Sequence, residues 1–196
     1  MGVSAGASAT SLVFSDPSFD ADLDQQAITV LAGHSWPSHT SVRVAVGLVV
    51  DGTLTTADRR FDLGAGPLAS AAISHQWSFA PWFVTGSFSL GASRVHTRET
   101  TAGATASARI SLLAIDGRVA ATAGRSFGPF SPYVLARAFG GPILWTFDGD
   151  DTRGTDAHHY QLGAGASLTL SDRLTFLVDI AALGERAASL GVAVNL

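Results

Sequence analysis

Residues 42–51 read Val42-Arg43-Val44-Ala45-Val46-Gly47-Leu48-Val49-Val50-Asp51. Successive side chains of a β-strand point to opposite faces. Val42, Val44, Val46, Leu48 and Val50 therefore share one face, and Arg43, Ala45, Gly47, Val49 and Asp51 share the other. The same alternation returns near the end of the chain. Tyr160, Leu162, Ala164, Ala166, Leu168 and Leu170 alternate with Gln161, Gly163, Gly165, Ser167 and Thr169. Leu190, Val192, Val194 and Leu196 alternate with Ser189, Gly191, Ala193 and Asn195. A period of two is the mark of strands, and no stretch shows a comparable helical period.

Working outward, turn signals cut the chain into about ten such segments. They fall at 2–14, 25–36, 40–53, 60–78, 82–98, 105–127, 132–147, 157–170, 173–183 and 187–196. In the segment 105–127 the alternation changes phase between Leu112 and Leu113, which suggests a bulge. The connections alternate in kind. Pro37-Ser38-His39, Phe79-Ala80-Pro81, Gly128-Pro129-Phe130-Ser131 and Ser171-Asp172 are short. Ser15–Asp24, Thr53–Arg59, Glu99–Ala104 and Asp148–Asp156 are longer and polar, and Gly184-Glu185-Arg186 is a shorter member of that set. Alternating short and long connections define an up-and-down barrel with turns at one rim and loops at the other. No linker divides the chain, so 1–196 reads as one domain.

Composition narrows the setting. Hydrophobic residues make up 46% of the 196 residues and charged residues 14%, well under the roughly 25% charged of a soluble domain. Mean hydropathy is +0.28. Yet no apolar run reaches the roughly 18 residues of a membrane-spanning helix. A barrel with its apolar face toward lipid resolves the conflict. The net charge of −4 gives no basic footprint for nucleic acid. There is no cysteine, hence no disulfide or thiol chemistry, and every basic residue is arginine. The chain opens without a basic and apolar leader, so Met1 reads as a start that replaces a removed export signal.

Three features set the direction of the two faces. Aromatics gather at strand ends: Trp36, Trp77, Phe79, Trp82, Phe127, Phe130 and Tyr133 near the short turns, and Phe14, Phe61, Trp145, Phe147 and Tyr160 near the long loops. Two such girdles suit the two membrane interfaces. Most segments reach the roughly 9–11 residues needed to cross hydrocarbon. The second face is rich in small residues that suit a crowded lumen. The expected fold is a closed up-and-down antiparallel transmembrane β-barrel of about ten strands, with eight as the alternative count. A soluble calycin-like barrel holding an apolar ligand is the competing reading, and it would place Val44, Leu162 and Val192 at the centre.

On these residues and this pattern, the whole chain resembles the small bacterial outer-membrane β-barrel superfamily, in the broad sense that includes the OmpA transmembrane domain and OmpW-like proteins. Ala187–Leu196 is similar to the family's last strand, although that strand normally closes on an aromatic and this one closes on Leu196. The resemblance implies an integral outer-membrane location with both termini periplasmic. It also implies outer-membrane lipid and lipopolysaccharide as surroundings and the barrel-assembly machinery as a partner in biogenesis.

Ionised side chains in such a barrel belong in the lumen, because a cation facing lipid at mid-bilayer costs about 2–4 kcal/mol. That assigns Arg43, Asp51, Asp62, Arg94, Arg109, Asp116, Arg118, Arg125, Arg137 and Asp179 to a luminal polar network or, alternatively, to the lining of a narrow pore. Trp36, Trp77, Trp82, Tyr133, Trp145 and Tyr160 are the expected interface aromatics. The Asp148–Asp156 segment is rich in oxygen ligands but lacks the spacing of a calcium loop; with Asp16, Asp20, Asp22 and Asp24 it reads as solvated acidic surface, with divalent cations bridging lipopolysaccharide as the alternative. His158 and His159 sit beside it as in omptin-type proteases, but the chain is short for that family's tall walls. His34-Ser35 and His75 lie at the wrong rim for lipid A deacylation. No cofactor, metal site or catalytic motif is expected. The expected role is structural or narrow-pore, without catalysis; surface binding through the external loops is the alternative.

Overall fold

The structure is a computed structural model and describes residues 1–15, 18–100, 110–147, 150–171 and 173–194. Thirteen strand segments build one antiparallel sheet that closes on itself. They are β1 (Gly2–Ser15), β2 (Ser18–Ser35), β3 (Thr40–Thr56), β4 (Arg60–Leu63), β5 (Gly66–Phe79), β6 (Trp82–Glu99), β7 (Ile110–Arg125), β8 (Phe130–Gly140), β9 (Ile143–Phe147), β10 (Asp150–Asp156), β11 (Tyr160–Ser171), β12 (Leu174–Gly184) and β13 (Arg186–Val194). The ten expected strands are all present. Two of them are divided, 60–78 at 64–65 and 132–147 at 141–142, the segment β10 fills most of the expected 148–156 loop, and the expected strand positions 105–109 and 195–196 lie outside the described residues.

The number of strands around the ring depends on height. Toward the short turns the order is β1–β2–β3–β5–β6–β7–β8–β11–β12–β13 and back to β1, a ring of ten. Toward the loops it is β1–β2–β3–β4–β6–β7–β9–β10 and back to β1, a ring of eight. β1 carries both closures. Its residues Gly2 to Ala9 pair with β13, and Leu12 to Phe14 pair with β10. The two missing strands end early because Gly184 adopts φ +75° and turns β12 into β13 through Glu185 alone. A side chain at residue 184 would strike the Tyr160 carbonyl. The barrel is therefore a ten-strand body under an eight-strand crown.

Its outer wall is apolar through the body. Val44, Val46, Leu48, Ile73, Leu90, Val119, Val134, Leu162, Ile180 and Leu190 are all exposed. Val44 and Leu162, two residues that a soluble carrier would bury, are 51% and 42% exposed. Val192 pairs with exposed Val3 on the same outer wall. Trp36, Trp77, Phe79, Trp82, Phe127 and Phe130 ring the turn end, all exposed.

The crown departs from expectation, and for one physical reason. About eight strands leave an interior just wide enough for side chains to fill, so here the inward face becomes apolar. Leu12, Phe14, Leu54, Phe61, Val95 and Trp145 form its buried centre. Phe14, Phe61 and Trp145, assigned to an outer girdle, are 0%, 1% and 1% exposed. Trp145 stacks edge-on with Phe61 at 5.0 Å, and its indole Nε1 donates to Thr97 Oγ1 at 3.0 Å. Among the aromatics expected near the loops, Tyr160 remains on the outer face, and the side chain of Phe147 lies outside the described residues. The phase change at Leu112 has the same origin. Leu112 turns into the crown core, and β6–β7 pairing is unbroken from Ile110 to Arg125, so no bulge lies there. The register instead shifts opposite Gln26/Ala27 in β3, and in β11–β12. The segment expected to form a loop from 148 to 156 is largely strand, since β10 runs Asp150–Asp156. β2 likewise begins at Ser18 rather than after Asp24.

Candidate luminal site

Below the crown core the lumen becomes polar. Arg137, on β8, donates through Nη1 to Gln161 Oε1 at 2.7 Å and lies 3.9 Å from Asp179 on β12. Tyr133, two residues along the same inward face, donates its hydroxyl to Asp179 at 3.0 Å. Tyr133 is thus a luminal residue, not an interface aromatic. Gly165 makes room for it: a Cβ there would lie 2.5 Å from the ring and 2.6 Å from Asp179 Oδ1. On β7, Arg118 holds Asp116 at 3.3 Å and rests its guanidinium 5.1 Å over the Phe139 ring. Arg118, Arg137, Gln161, Asp179 and Glu185 line one luminal cavity of about 340 Å³. Arg43 lines the wider mouth at the turn rim with Ser4, Asp179 and Ser189.

Of the ten ionised residues assigned to the lumen, Arg43, Asp116, Arg118, Arg137 and Asp179 are found there. Four are not. Asp51 pairs with Gln26 just past the β3 bulge; the extra residue turns it to the outer wall. Asp62 lies between Phe61 and Leu63, both buried inward, so it faces out. Arg94 alternates with buried Val95 and reaches Ser111 Oγ on the outer wall at 3.0 Å. Arg125 leans over the exposed rings of Trp82 and Phe127 at 5.3 and 4.9 Å. All four lie at the edges of the apolar outer wall. Asp51, Asp62 and Arg94 stand at or above the top of the apolar wall, and Arg125 at its lower edge. Arg109 lies outside the described residues.

Sequence reasoning missed two members. Gln161 is fully buried, and its amide Nε2 has no hydrogen-bond partner. Glu185 looked like a loop residue, yet it is 8% exposed with Oε2 unpartnered. Burial pushes the Glu185 carboxyl above the usual range, an effect opposed by Arg118 and Arg137 and reinforced by Asp156 and Asp116. The apolar neighbours Leu183 and Gly184 offered no signal, because only the ten-to-eight change in strand number turns this residue inward. Among the described residues no group of three acidic or histidine side chains is placed to hold a metal ion.

The same barrel architecture appears in solved structures. The translocator domain of the autotransporter NalP from Neisseria meningitidis matches with a TM-score of 0.58 and 14% identity, over 100% of this chain and 88% of that one. The β domain of the Bordetella autotransporter BrkA matches with a TM-score of 0.52 and 14% identity, over 100% and 99%. The transport unit of the autotransporter AIDA-I from Escherichia coli gives 0.51 and 8%, over 100% and 89%. No protein-family model and no curated protein matches the chain. The likeness establishes the closed β-barrel fold. It does not support the narrower resemblance to the OmpA transmembrane domain or to OmpW-like proteins.

Proposed function

We propose that the chain is an integral barrel of a bacterial outer membrane, sealed at its crown, with a structural role and neither a standing aqueous pore nor catalysis. One observation carries this reading: large aliphatic side chains face outward around the whole body while the polar groups face the lumen. In water that arrangement would expose an apolar surface far beyond the few hundred Å² that soluble monomers tolerate. In hydrocarbon it costs nothing. The exposed tryptophans at the turn end suit an interface. Gly2 and Val194 lie at that same end, so both ends of the chain would be periplasmic. Outer-membrane phospholipid and lipopolysaccharide would surround the wall, and the barrel-assembly machinery would insert it.

The crown core supports the sealed form over a narrow pore. Phe14, Phe61 and Trp145 occupy the axis where solute would pass, and an apolar constriction of this kind also excludes water. A second reading, surface binding, is favoured by the outward charges of the crown, Asp22, Asp24, Asp51, Arg94 and Arg98. The test is reconstitution of the refolded chain into planar bilayers. Stable insertion with no sustained conductance is the expected result. Steady single-channel currents from the unmodified chain would overturn the sealed reading. A chain that stays monodisperse in buffer without detergent would overturn the membrane assignment itself.

A further inference from the structure

Where ten strands become eight, the wall has a three-way junction. β1 leaves β13 after Ala9 and meets β10 at Leu12. β10 and β11 are separated by 157–159, and the β12–β13 turn ends in the gap between them. Thr10 and Ser11 are spanned only loosely. Ser11 O accepts from the Ala157 amide at 2.8 Å, and Thr10 Oγ1 reaches Asp156 Oδ1 at 3.5 Å. Outside this junction lies a notch of about 310 Å³ lined by Thr10, Ser11, Asp22, Asp24, His158 and Arg186, among others. Inside it lies the luminal cavity. Glu185 lines both. Its backbone amide is tied to the Tyr160 carbonyl at 3.2 Å, which holds the residue between the two spaces.

We propose that this junction is a lateral doorway for small cations between the headgroup layer and the lumen, held closed in the resting barrel by the Glu185 side chain. The proposal rests on the reading of a membrane-embedded barrel sealed at its crown. Size is suitable, since each space holds several waters or a small hydrated ion. Charge is suitable as well. Asp22 and Asp24 stand at the outer side, Glu185 in the doorway and Asp156 beside it, against Arg186 and His158. Within the cavity, Arg118 and Arg137 are already paired with Asp116 and Asp179. Two buried polar atoms in the cavity are left over, Glu185 Oε2 and Gln161 Nε2. Both atoms are closed off from water; an unpartnered carboxylate oxygen on a residue 8% exposed is costly where it stands, and the cost is relieved when the side chain swings into either of the spaces it borders. The luminal cavity shares Ser4, Asp179 and Ser189 with the mouth that Arg43 lines at the turn rim, so an open door would join the notch to that mouth.

The test is conductance in planar bilayers under a KCl gradient, using Glu185→Ala, Trp145→Ala and the unmodified chain. The unmodified chain and Trp145→Ala are expected to be silent, whereas Glu185→Ala is expected to give sustained currents with a severalfold preference for K⁺ over Cl⁻. Adding Asp24→Asn to Glu185→Ala should lower that preference, because Asp24 lines the lateral route and not the axis. Glu185→Ser serves if Glu185→Ala does not refold to the heat-modifiable form. Folded Glu185 variants that stay silent overturn the doorway, as do anion-selective currents or a preference indifferent to Asp24. Currents in the unmodified chain would instead overturn the sealed barrel beneath it, so the two failures are told apart.

Discussion

Replacing Trp145 with alanine removes the centre of the crown core. The indole is 1% exposed and lies 5.0 Å from the Phe61 ring, 5.6 Å from Phe14 and 6.1 Å from Phe19. Burying a large apolar side chain contributes about 1.5–3 kcal/mol. Aromatic pairs add about 0.5–1.5 kcal/mol each beyond area, and the Nε1 bond to Thr97 adds about 1 kcal/mol. These contributions overlap, and Phe14 and Phe61 sit on separate strands that cannot collapse fully into the void. The expected cost is therefore about 4 kcal/mol, within the range of about 3–5 kcal/mol for buried tryptophan or phenylalanine truncation. Trp145→Phe, which keeps a ring and loses the hydrogen bond, should cost about 1 kcal/mol. An apolar void on the order of 150 Å³ stays dry, so stability falls without a pore opening. Urea unfolding in lipid vesicles, followed by circular dichroism, measures both variants. Should Trp145→Ala cost no more than the same change at exposed Trp82, about 1 kcal/mol or less, the packed crown would be refuted.

Four further outcomes follow from the same geometry. Single-tryptophan variants in vesicles of brominated lipid should show quenching at Trp36, Trp77 and Trp82 and none at Trp145; quenching at Trp145 would return it to the outer face. Val46→Arg, at an outward position 57% exposed in the body, should cost about 2–4 kcal/mol by vesicle unfolding, while Asp62→Arg on the crown wall should change little. Glu185 has a raised pKa in the folded barrel, so the folded state binds its proton more tightly than the unfolded chain. Its contribution is fully present below the ordinary glutamate value of about 4.3 and is lost as pH rises through the raised value. Glu185→Gln should flatten that fall, and an unchanged pH profile would contradict the burial. Gly165→Val should displace Tyr133 from Asp179, seen as loss of the near-ultraviolet tyrosine signal with the far-ultraviolet spectrum retained.

The body of the barrel was legible because its two faces obey one rule along whole strands. Val42 to Val50 carries that rule in nine residues, and the ten strands followed. The crown was not legible, because there both faces change meaning. Trp145 shares the phase of luminal Arg137, yet at a strand end a tryptophan reads equally well as an interface anchor; Phe61 is odd-numbered where the inward positions of β5 are even, because the break at 64–65 changes the phase. Asp51 turns outward because of one extra residue in β3, and a bulge leaves no mark in a run such as Leu48-Val49-Val50-Asp51. Glu185 is buried where β1 meets the β10–β11 break, and β1 lies far from both in sequence. Arg118, Arg137 and Asp179 were found because strands within the body keep their phase.

The double seam of β1 also bears on how such a chain is assembled. Residues 1–156 already hold every strand of the smaller ring, so β10 meeting β1 can complete a circle before the remaining three strands are placed. Once that circle exists, β13 no longer has to search for its partner across the full chain. It needs only to zip beneath a neighbour held nearby, with most of the loop-closure entropy already spent.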